Sequence, residues 1–439
     1  MKRYDSYKDS EVEWIGKIPN HWDLCKIKFL LKKRNEKNNP IITDNILSLS
    51  IKKGVTLQSE KPTGGNKPKD DLSKYNIVQE NDIVINSMNV IVGSVGLSKY
   101  FGLVSPVYYI LYSNNENLEI RYYDFLFSGK QFQKSLIGEG NGIMILESSN
   151  GKLNTIRMRI PYEKLGNKEF PVPPLSEQQQ IVSFLDTKTS LIDSLIEKTQ
   201  RKIELLKEKR TSLINEVVTK GLNPNVEMKY SGVEWIGEIP SHWMRNKLNR
   251  ISERIGDGLH STPKYVDSSE YYFINGNNLV NGEIKIFDST KCVSEEEFKK
   301  HFIQLNSKTL LLSINGTIGN LSFYNDEKVI LGKSSCYINL KENINHHFVY
   351  YVLKSESISK YFTFELTGTT IFNLSLNSIR NTPIVIPPEN EQQQIVEYLD
   401  EQTGLIDKTI SIEEKRKELL KEYRQSLISE VVTGKRKVV

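Results

Sequence analysis

The sequence predicts an α/β chain of mixed α+β type. Two globular regions are joined by two long helices that form an antiparallel coiled coil, with an internal pseudo-two-fold repeat. Three observations predict this. First, a helical segment occurs twice. Ser176-Glu177-Gln178-Gln179-Gln180-Ile181-Val182 opens a stretch running to Lys220. Asn390-Glu391-Gln392-Gln393-Gln394-Ile395-Val396 opens its copy, running to Gly434 at a constant offset of 214 positions. Second, Val12-Glu13-Trp14-Ile15-Gly16-Lys17-Ile18-Pro19-Asn20-His21-Trp22 recurs as Val233-Glu234-Trp235-Ile236-Gly237-Glu238-Ile239-Pro240-Ser241-His242-Trp243. Third, the halves diverge strongly between these matching pieces. A duplicated frame with two divergent inserts suits a molecule that reads two different things at a set distance.

A chain of 439 residues is too long for one core and divides into several domains. The repeats place the boundaries at 1–174, 175–221, 222–388 and 389–439. Hydrophobic content of 38% and charged content of 26% fit a soluble globular chain. No apolar run approaches the roughly 18 residues of a membrane span, and the N-terminus lacks the apolar stretch of a secretory signal. The three cysteines, Cys25, Cys292 and Cys336, are far apart and odd in number. They point to a reducing compartment, the cytoplasm, without disulfides or a zinc site. Net charge is +5. The basic excess falls in residues 1–174, whereas 222–388 is balanced. Mild basicity fits a phosphate-contacting surface, and equally fits ordinary solubility charge.

In chain order, residues 46–51 and 104–112 read as strands. Residues 81–89, followed by Gly93, read as strand, polar turn and second strand. Residues 122–136 read as a helix. Pro173-Pro174 forces extended backbone. Ser176 then reads as an N-cap, with Gln179 three residues on completing a capping box. Beyond it run two seam rows, Val182, Thr189, Ile196, Ile203, Arg210, Val217 and Leu185, Ile192, Thr199, Leu206, Leu213. Their period of about 3.5 residues is that of a coiled coil. Gly221, backed by Asn223-Pro224, stops this helix. In the second half, residues 309–315 with Gly319 repeat the strand–turn–strand pattern, and 346–364 repeat the helix. Pro387-Pro388, Asn390 and Gln393 repeat the helix start. The seam rows recur as Val396, Thr403, Ile410, Lys417, Arg424, Val431 and Leu399, Ile406, Glu413, Leu420, Leu427. Each helix spans on the order of 65 Å and carries one apolar stripe that it cannot bury alone. The other copy is the simplest partner; the alternative is that each helix packs on its own globular region. Val431-Val432-Thr433-Gly434 leading to Tyr7-Lys8-Asp9-Ser10 has the same order as Val217-Val218-Thr219-Lys220 leading to Tyr230-Ser231-Gly232. The chain reads as a circle of two units cut in one linker, with its termini close together.

Loops in the variable regions are polar and basic. Lys61-Pro62-Thr63-Gly64-Gly65-Asn66-Lys67-Pro68-Lys69 offers ammonium groups and free amides. Gly256-Asp257-Gly258-Leu259-His260-Ser261-Thr262-Pro263-Lys264-Tyr265, Asn275-Gly276-Asn277-Asn278 and Thr367-Gly368-Thr369-Thr370 offer side chains suited to base edges and phosphates. Plain solvent-exposed loop chemistry is the other reading of any single one. Catalytic motifs are missing. No Asn-Pro-Pro-aromatic or Asp-Pro-Pro-aromatic run exists. Gly332-Lys333-Ser334 looks like the end of a P-loop, but Glu327 stands where its first glycine belongs. Glu283-Ile284-Lys285 matches half of a nuclease site, as do Glu297-Phe298-Lys299 and Glu413-Glu414-Lys415, without a Pro-Asp partner. Gly138-Glu139-Gly140 is a lone Gly-x-Gly. The histidines, His346-His347 included, lack metal-ligand spacing, and His21 and His242 read as packing residues. No catalytic centre or metal site is expected.

Val-Glu-Trp-Ile-Gly-x-Ile-Pro-x-His-Trp and Pro-Pro-x-x-Glu-Gln-Gln-Gln-Ile-Val-x-x-Leu-Asp with its trailing Glu-Val-Val-Thr, each used twice, resemble the specificity subunit of type I restriction–modification systems. The resemblance covers essentially the whole chain. It implies two target-recognition domains, each reading one half of a split double-stranded DNA target. It implies a helical spacer that fixes the gap and docks two modification (methyltransferase) subunits, with restriction subunits completing the nuclease. S-adenosylmethionine, ATP and magnesium then belong to the partners, and this chain holds no cofactor. Expected DNA contacts are Lys52, Lys53, Lys61, Lys67, Lys69 and Asn89 in the first region. In the second they are Gly258, His260, Ser261, Thr262, Lys264, Asn275, Asn277, Asn315, Thr369, Thr370 and Asn373. Expected partner contacts are Gln178, Gln179, Gln180, Gln392, Gln393 and Gln394. Residues 138–160 depart from the pattern at 367–388. The alternative to DNA recognition is a coiled-coil scaffold that binds proteins alone.

Overall fold

The structure is a computed structural model that describes residues 3–51, 53–60, 71–141, 159–368 and 372–438. It divides into two compact units, Met1–Thr199 with Lys415–Val439, and Gln200–Glu414. These units cut across the segments read from the repeats, because each long helix contributes to both. The first long helix is Leu175–Lys220 and the second Glu389–Val432.

Within each unit a piece of one long helix packs on a piece of the other. In the first unit, Ile192, Leu427, Ile428, Val431 and Val432 share one core, and Arg424 donates to both oxygens of Asp193 at 2.8 and 3.1 Å. In the second, Ile203, Ile406 and Ile410 form a cluster flanked by Leu206 and Leu213, and Arg210 donates to Asp407 at 2.9 and 3.1 Å. Asp193 and Asp407 are repeat copies, as are Arg210 and Arg424. One antiparallel contact is therefore made twice, which is the pseudo-two-fold pairing that the seams predict.

The helix starts differ from expectation. Glu177 and Gln178 N–H both donate to the Pro174 carbonyl at 2.9 and 3.0 Å, and Gln392 N–H donates to that of Pro388 at 3.0 Å. The prolines are thus the N-caps, and Ser176 and Asn390 lie inside the first turn, so no capping box forms. A proline carbonyl can accept the first helical bond even though proline has no N–H to give. The ends follow the sequence: Gly221 and Gly434 take φ of +75° and +72°, the left-handed conformation of a helix stop.

The variable regions share a topology that their sequences hide. The first contains a sheet ordered Lys32–Lys33, Tyr108–Tyr112, Ile83–Asn86, Val95–Leu97. The second contains Ser252–Asp257, Ser335–Leu340, Thr309–Ser313, Leu321–Phe323. All neighbours are antiparallel. Each region closes on itself by pairing its first and last strands, Asp23–Lys26 with Glu169–Val172 and Met244–Lys247 with Pro383–Ile386. Three predicted elements are broken. Residues 104–112 split at Ser105-Pro106 into Gly102–Val104 and Tyr108–Tyr112. The helices split at Gly129 and at Ser355, whose hydroxyl accepts from Ile358 N–H and starts a new helix. The turn at Gly129 lets Phe132 reach Phe127 and Phe170, edge to face at 5.4 and 4.9 Å.

The chain's start and end meet in the first unit. Tyr122 donates its hydroxyl to the Val432 carbonyl at 2.8 Å, and Tyr7 to that of Lys435 at 3.5 Å. Among the described residues no helix is long and apolar enough to cross a membrane.

Candidate nucleic-acid interface

The two repeated motifs form one clasp, made twice. His21 Nε2 lies 2.6 Å from Glu177 Oε1, and the buried Trp22 donates its indole N–H to Glu177 Oε2 at 3.0 Å. His242 and Trp243 hold Glu391 in the same way at 2.7 and 2.9 Å. Tyr4 adds a third donor to Glu177 at 3.0 Å, and burial, with that carboxylate beside it, pushes the Tyr4 hydroxyl well up. The clasp ties each variable region to its own helix start; the candidate loops lie between the strands of that region.

In the second unit these loops interlock. Leu259 N–H donates to the Leu331 carbonyl at 2.7 Å, Gly258 N–H to that of Ser335 at 3.1 Å, and Gly332 N–H to that of Ile274 at 2.8 Å. Gly276 N–H donates to Ser334 Oγ at 2.9 Å, and Ser334 Oγ to Asn275 Oδ1 at 3.0 Å. Ile314 N–H donates to the Ser334 carbonyl, and Leu374 N–H to the Ile314 carbonyl. Thr367 and Asn373 exchange backbone bonds at 3.0 and 2.9 Å, and Asn315 and Asn373 side chains approach at 3.4 Å. The turn Gly332–Ser335 is the hub, bonded to three other loops. Two glycines permit this crowding. A Cβ on Gly258 would lie 2.2 Å from the Leu331 carbonyl oxygen, and one on Gly332 2.3 Å from Asn275 Oδ1.

The expected contacts fare unequally. His260, Ser261, Thr262, Lys264 and Asn277 are exposed. His260 leans on Asp257 at 2.7 Å, so that carboxylate is occupied. Asn275, Asn315 and Asn373 are half-buried and tie loops together. Gly258 is buried and offers no group to a ligand; its role is close backbone approach. Lys264 stands aside from the hub on the segment whose N–H meets Glu297 at 3.3 Å. Sequence reasoning passed over Lys333, the exposed cation of the hub. Its signal in the sequence is Gly332-Lys333-Ser334, which looks like the end of a P-loop. The structure makes it a turn between strands Val329–Leu331 and Ser335–Leu340, with no helix following, so a P-loop does not fit.

The first unit repeats the stem of this face. Asn141 and Arg159 exchange backbone bonds at 3.0 and 3.3 Å, and Ile160 N–H donates to the Ser87 carbonyl at 2.9 Å, as Leu374 does to Ile314. Arg159, exposed where the second unit has Asn373, is a further residue that the sequence did not single out. Asn89 is exposed beside Ser87, and Lys53 is exposed in the turn between Leu47–Ser50 and Gly54–Leu57. Lys52, Lys61, Lys67, Lys69, Thr369 and Thr370 lie outside the described residues.

The glutamine triplets divide by position. Gln178 and Gln392 are buried. Gln178 accepts from Glu119 N–H at 2.9 Å and donates to the Pro173 carbonyl at 2.8 Å, and Gln392 does the same with Asn345 and Pro387. Both amide ends are engaged, so these two are internal ties rather than partner contacts. Gln179, Gln180, Gln393 and Gln394 are exposed. Gln393 lines a cleft of about 760 Å³ with Lys308, Glu342, Asn345, His346 and His347. Burial, with His347 and Lys308 alongside, pushes His346 down to about 4, leaving its ring neutral at pH 7. The long helices also expose large apolar side chains. Leu191 and Leu419 in the first unit are 55% and 50% exposed; their repeat copies in the second, Leu405 and Leu205, are 56% and 48% exposed.

A family model described as "Type I restriction modification DNA specificity domain" matches residues 20–205 and 240–422. The MjaVIII type I restriction enzyme specificity subunit of Methanocaldococcus jannaschii is 26% identical over 460 residues, covering 100% of this chain and 98% of that protein. The putative MjaX specificity subunit of the same organism is 24% identical, covering 99% and 97%. Two solved structures share the fold at 14% identity, each covering 95% of this chain and 98% of its own. One, from work on complex assembly and conformational transition of the type I R-M system, superposes with a TM-score of 0.68. The other, the HsdS subunit from Thermoanaerobacter tengcongensis, gives 0.52.

Proposed function

The chain belongs to the type I restriction–modification DNA specificity family, and from that premise we propose that each unit reads one half of a bipartite double-stranded DNA target. One observation carries this reading: an interlocked loop face in the second unit, whose stem recurs at the same topological place in the first although the two regions are unlike in sequence. Rigid loops with short polar and cationic tips suit direct readout of base edges, with flanking cations for phosphates. Divergence between the two faces gives two different half-targets.

Two modification subunits dock on the long helices, and restriction subunits complete the complex. The exposed Leu191 and Leu419 of the first unit and their copies Leu405 and Leu205 in the second support this, because the same apolar side chains offered twice fit two copies of one partner. The glutamines at the helix surface, Gln179, Gln180, Gln393 and Gln394, border the docking surface. S-adenosylmethionine, ATP and magnesium are carried by those partners in the cytoplasm, and the purified chain alone transfers no methyl group and cuts no DNA. The paired helices set the interval between the half-targets.

The test is exchange of residues 23–172 for the equivalent region of a related subunit, followed by methylome sequencing. The exchange must include Glu169–Val172, because that strand pairs with Asp23–Lys26. One half-target should change and the other persist. If both change, the two units are not independent readers. If methylation continues at sites unrelated to either region, the reading as a DNA-recognition subunit fails and the protein-binding scaffold remains.

A further inference from the structure

We propose that Lys333 is a base-reading residue of the second unit, donating from its ammonium group to a guanine in the major groove of one half-target. The inference rests on the DNA-recognition reading above and names one contact within it.

Lys333 sits at the tip of the turn in which Ser335 N–H donates to the Gly332 carbonyl at 2.9 Å. Every other polar group of that turn named so far is consumed internally. Ser334 Oγ is held between Gly276 N–H and Asn275 Oδ1, and the Ser334 carbonyl accepts from Ile314. The amides of Gly258, Gly276, Ile314 and Gly332 are likewise spent on loop-to-loop bonds. These four amides are therefore not available to a free nucleotide phosphate. What the hub presents outward is the Lys333 side chain. It is exposed, and among the described residues no carboxylate pairs with it. Asp257, the acidic side chain of the neighbouring loop, is already bonded to His260. The ammonium group has three donors and no acceptor, which matches the O6 and N7 acceptors that guanine shows in the major groove. The turn that carries it is fixed through Gly332, Ser334 and Ser335 by bonds to three other loops, so binding has only the lysine side chain left to order. Phosphate neutralisation falls to cations away from the hub, such as Lys264.

The experiment uses the complete complex with its modification subunits. The probes are a duplex carrying the target given by methylome sequencing, duplexes with either half scrambled, and duplexes with 7-deazaguanine at single guanines of the half read by the second unit. Lys333→Met keeps the stem and removes the charge. It should weaken binding to the intact target by roughly tenfold to a hundredfold, the worth of one good base contact. It should change binding little once that half is scrambled. One 7-deazaguanine should weaken the wild-type complex and leave Lys333→Met unaffected, and Lys333→Arg should retain the guanine preference. A uniform loss on every duplex, with the salt dependence reduced by about one ion, marks a phosphate contact and overturns the proposal. An unchanged affinity overturns it too, as does a half-target without a G·C pair. If the wild-type complex fails to prefer the intact target over the scrambled duplexes, it is the DNA-recognition reading that has failed, whatever Lys333 does.

Discussion

The clasp offers a controlled comparison, because the same device occurs twice with a different number of donors. Glu391→Ala removes the acceptor of Trp243 Nε1 and of His242 Nε2. The indole N–H is fully buried, so leaving it unpaired costs about 1–3 kcal/mol. The imidazole is 41% exposed and water takes over its bond, adding little. Glu177→Ala loses the matching pair and also the Tyr4 hydroxyl, half-buried at 3.0 Å. That third bond adds about 1 kcal/mol. Opening at the start of the first long helix should therefore exceed that at the second by roughly fivefold beyond their wild-type difference. Hydrogen–deuterium exchange, read separately on peptides from residues 175–190 and 389–404, measures both in one chain. Equal effects of the two substitutions, or a larger one for Glu391→Ala, would refute the idea that the carboxylate works by collecting these donors.

Three further expectations follow from the geometry. Arg210→Asp and Asp407→Arg should each destabilise the second unit by about 0.5–1 kcal/mol, and the double exchange should recover most of the loss; urea midpoints in a double-mutant cycle decide, and purely additive losses would contradict the pairing. Gly258→Ala forces a methyl group against a carbonyl oxygen 2.2 Å away, so it should cost about 1–3 kcal/mol and weaken recognition of one half-target only; an unchanged melting temperature would show that the loops yield freely. Four residues inserted after Lys207 add about 6 Å of helix and should lengthen the unspecified gap by one or two base pairs in the methylome. A stable, active variant with the original gap would show that helix length does not set the interval.

The frame was legible because it is written in local repeats. Seam residues at about 3.5-residue spacing mark the helices, and identity at a fixed offset marks the copies. The N-cap was misplaced, since Ser176 and Gln179 fit a capping pattern that the Pro174 carbonyl pre-empts. The glutamine triplet looked uniform, yet a helix turns each residue about 100° from the last, so Gln178 points inward and its neighbours outward. The loop face was only partly legible, because it is assembled from backbone bonds between residues tens of positions apart. Nothing local shows that Gly258 is buried under Leu331, or that Lys333 crowns a hub. The polar side chains were visible; their convergence was not.

The first unit draws part of its core from the far end of the chain. Leu427, Ile428, Val431 and Val432 pack with Ile181, Leu185 and Ile192, whereas the second unit, Gln200–Glu414, is one uninterrupted segment. On the ribosome the order of completion is therefore reversed. The region made second has all of its own residues before the region made first does. Until residues 415–432 emerge, Ile181, Leu185 and Ile192 lack part of their apolar partners and are available to chaperones or to a second nascent chain. A stop just after Glu414 would spare the second unit and leave the earlier-made first unit unfinished.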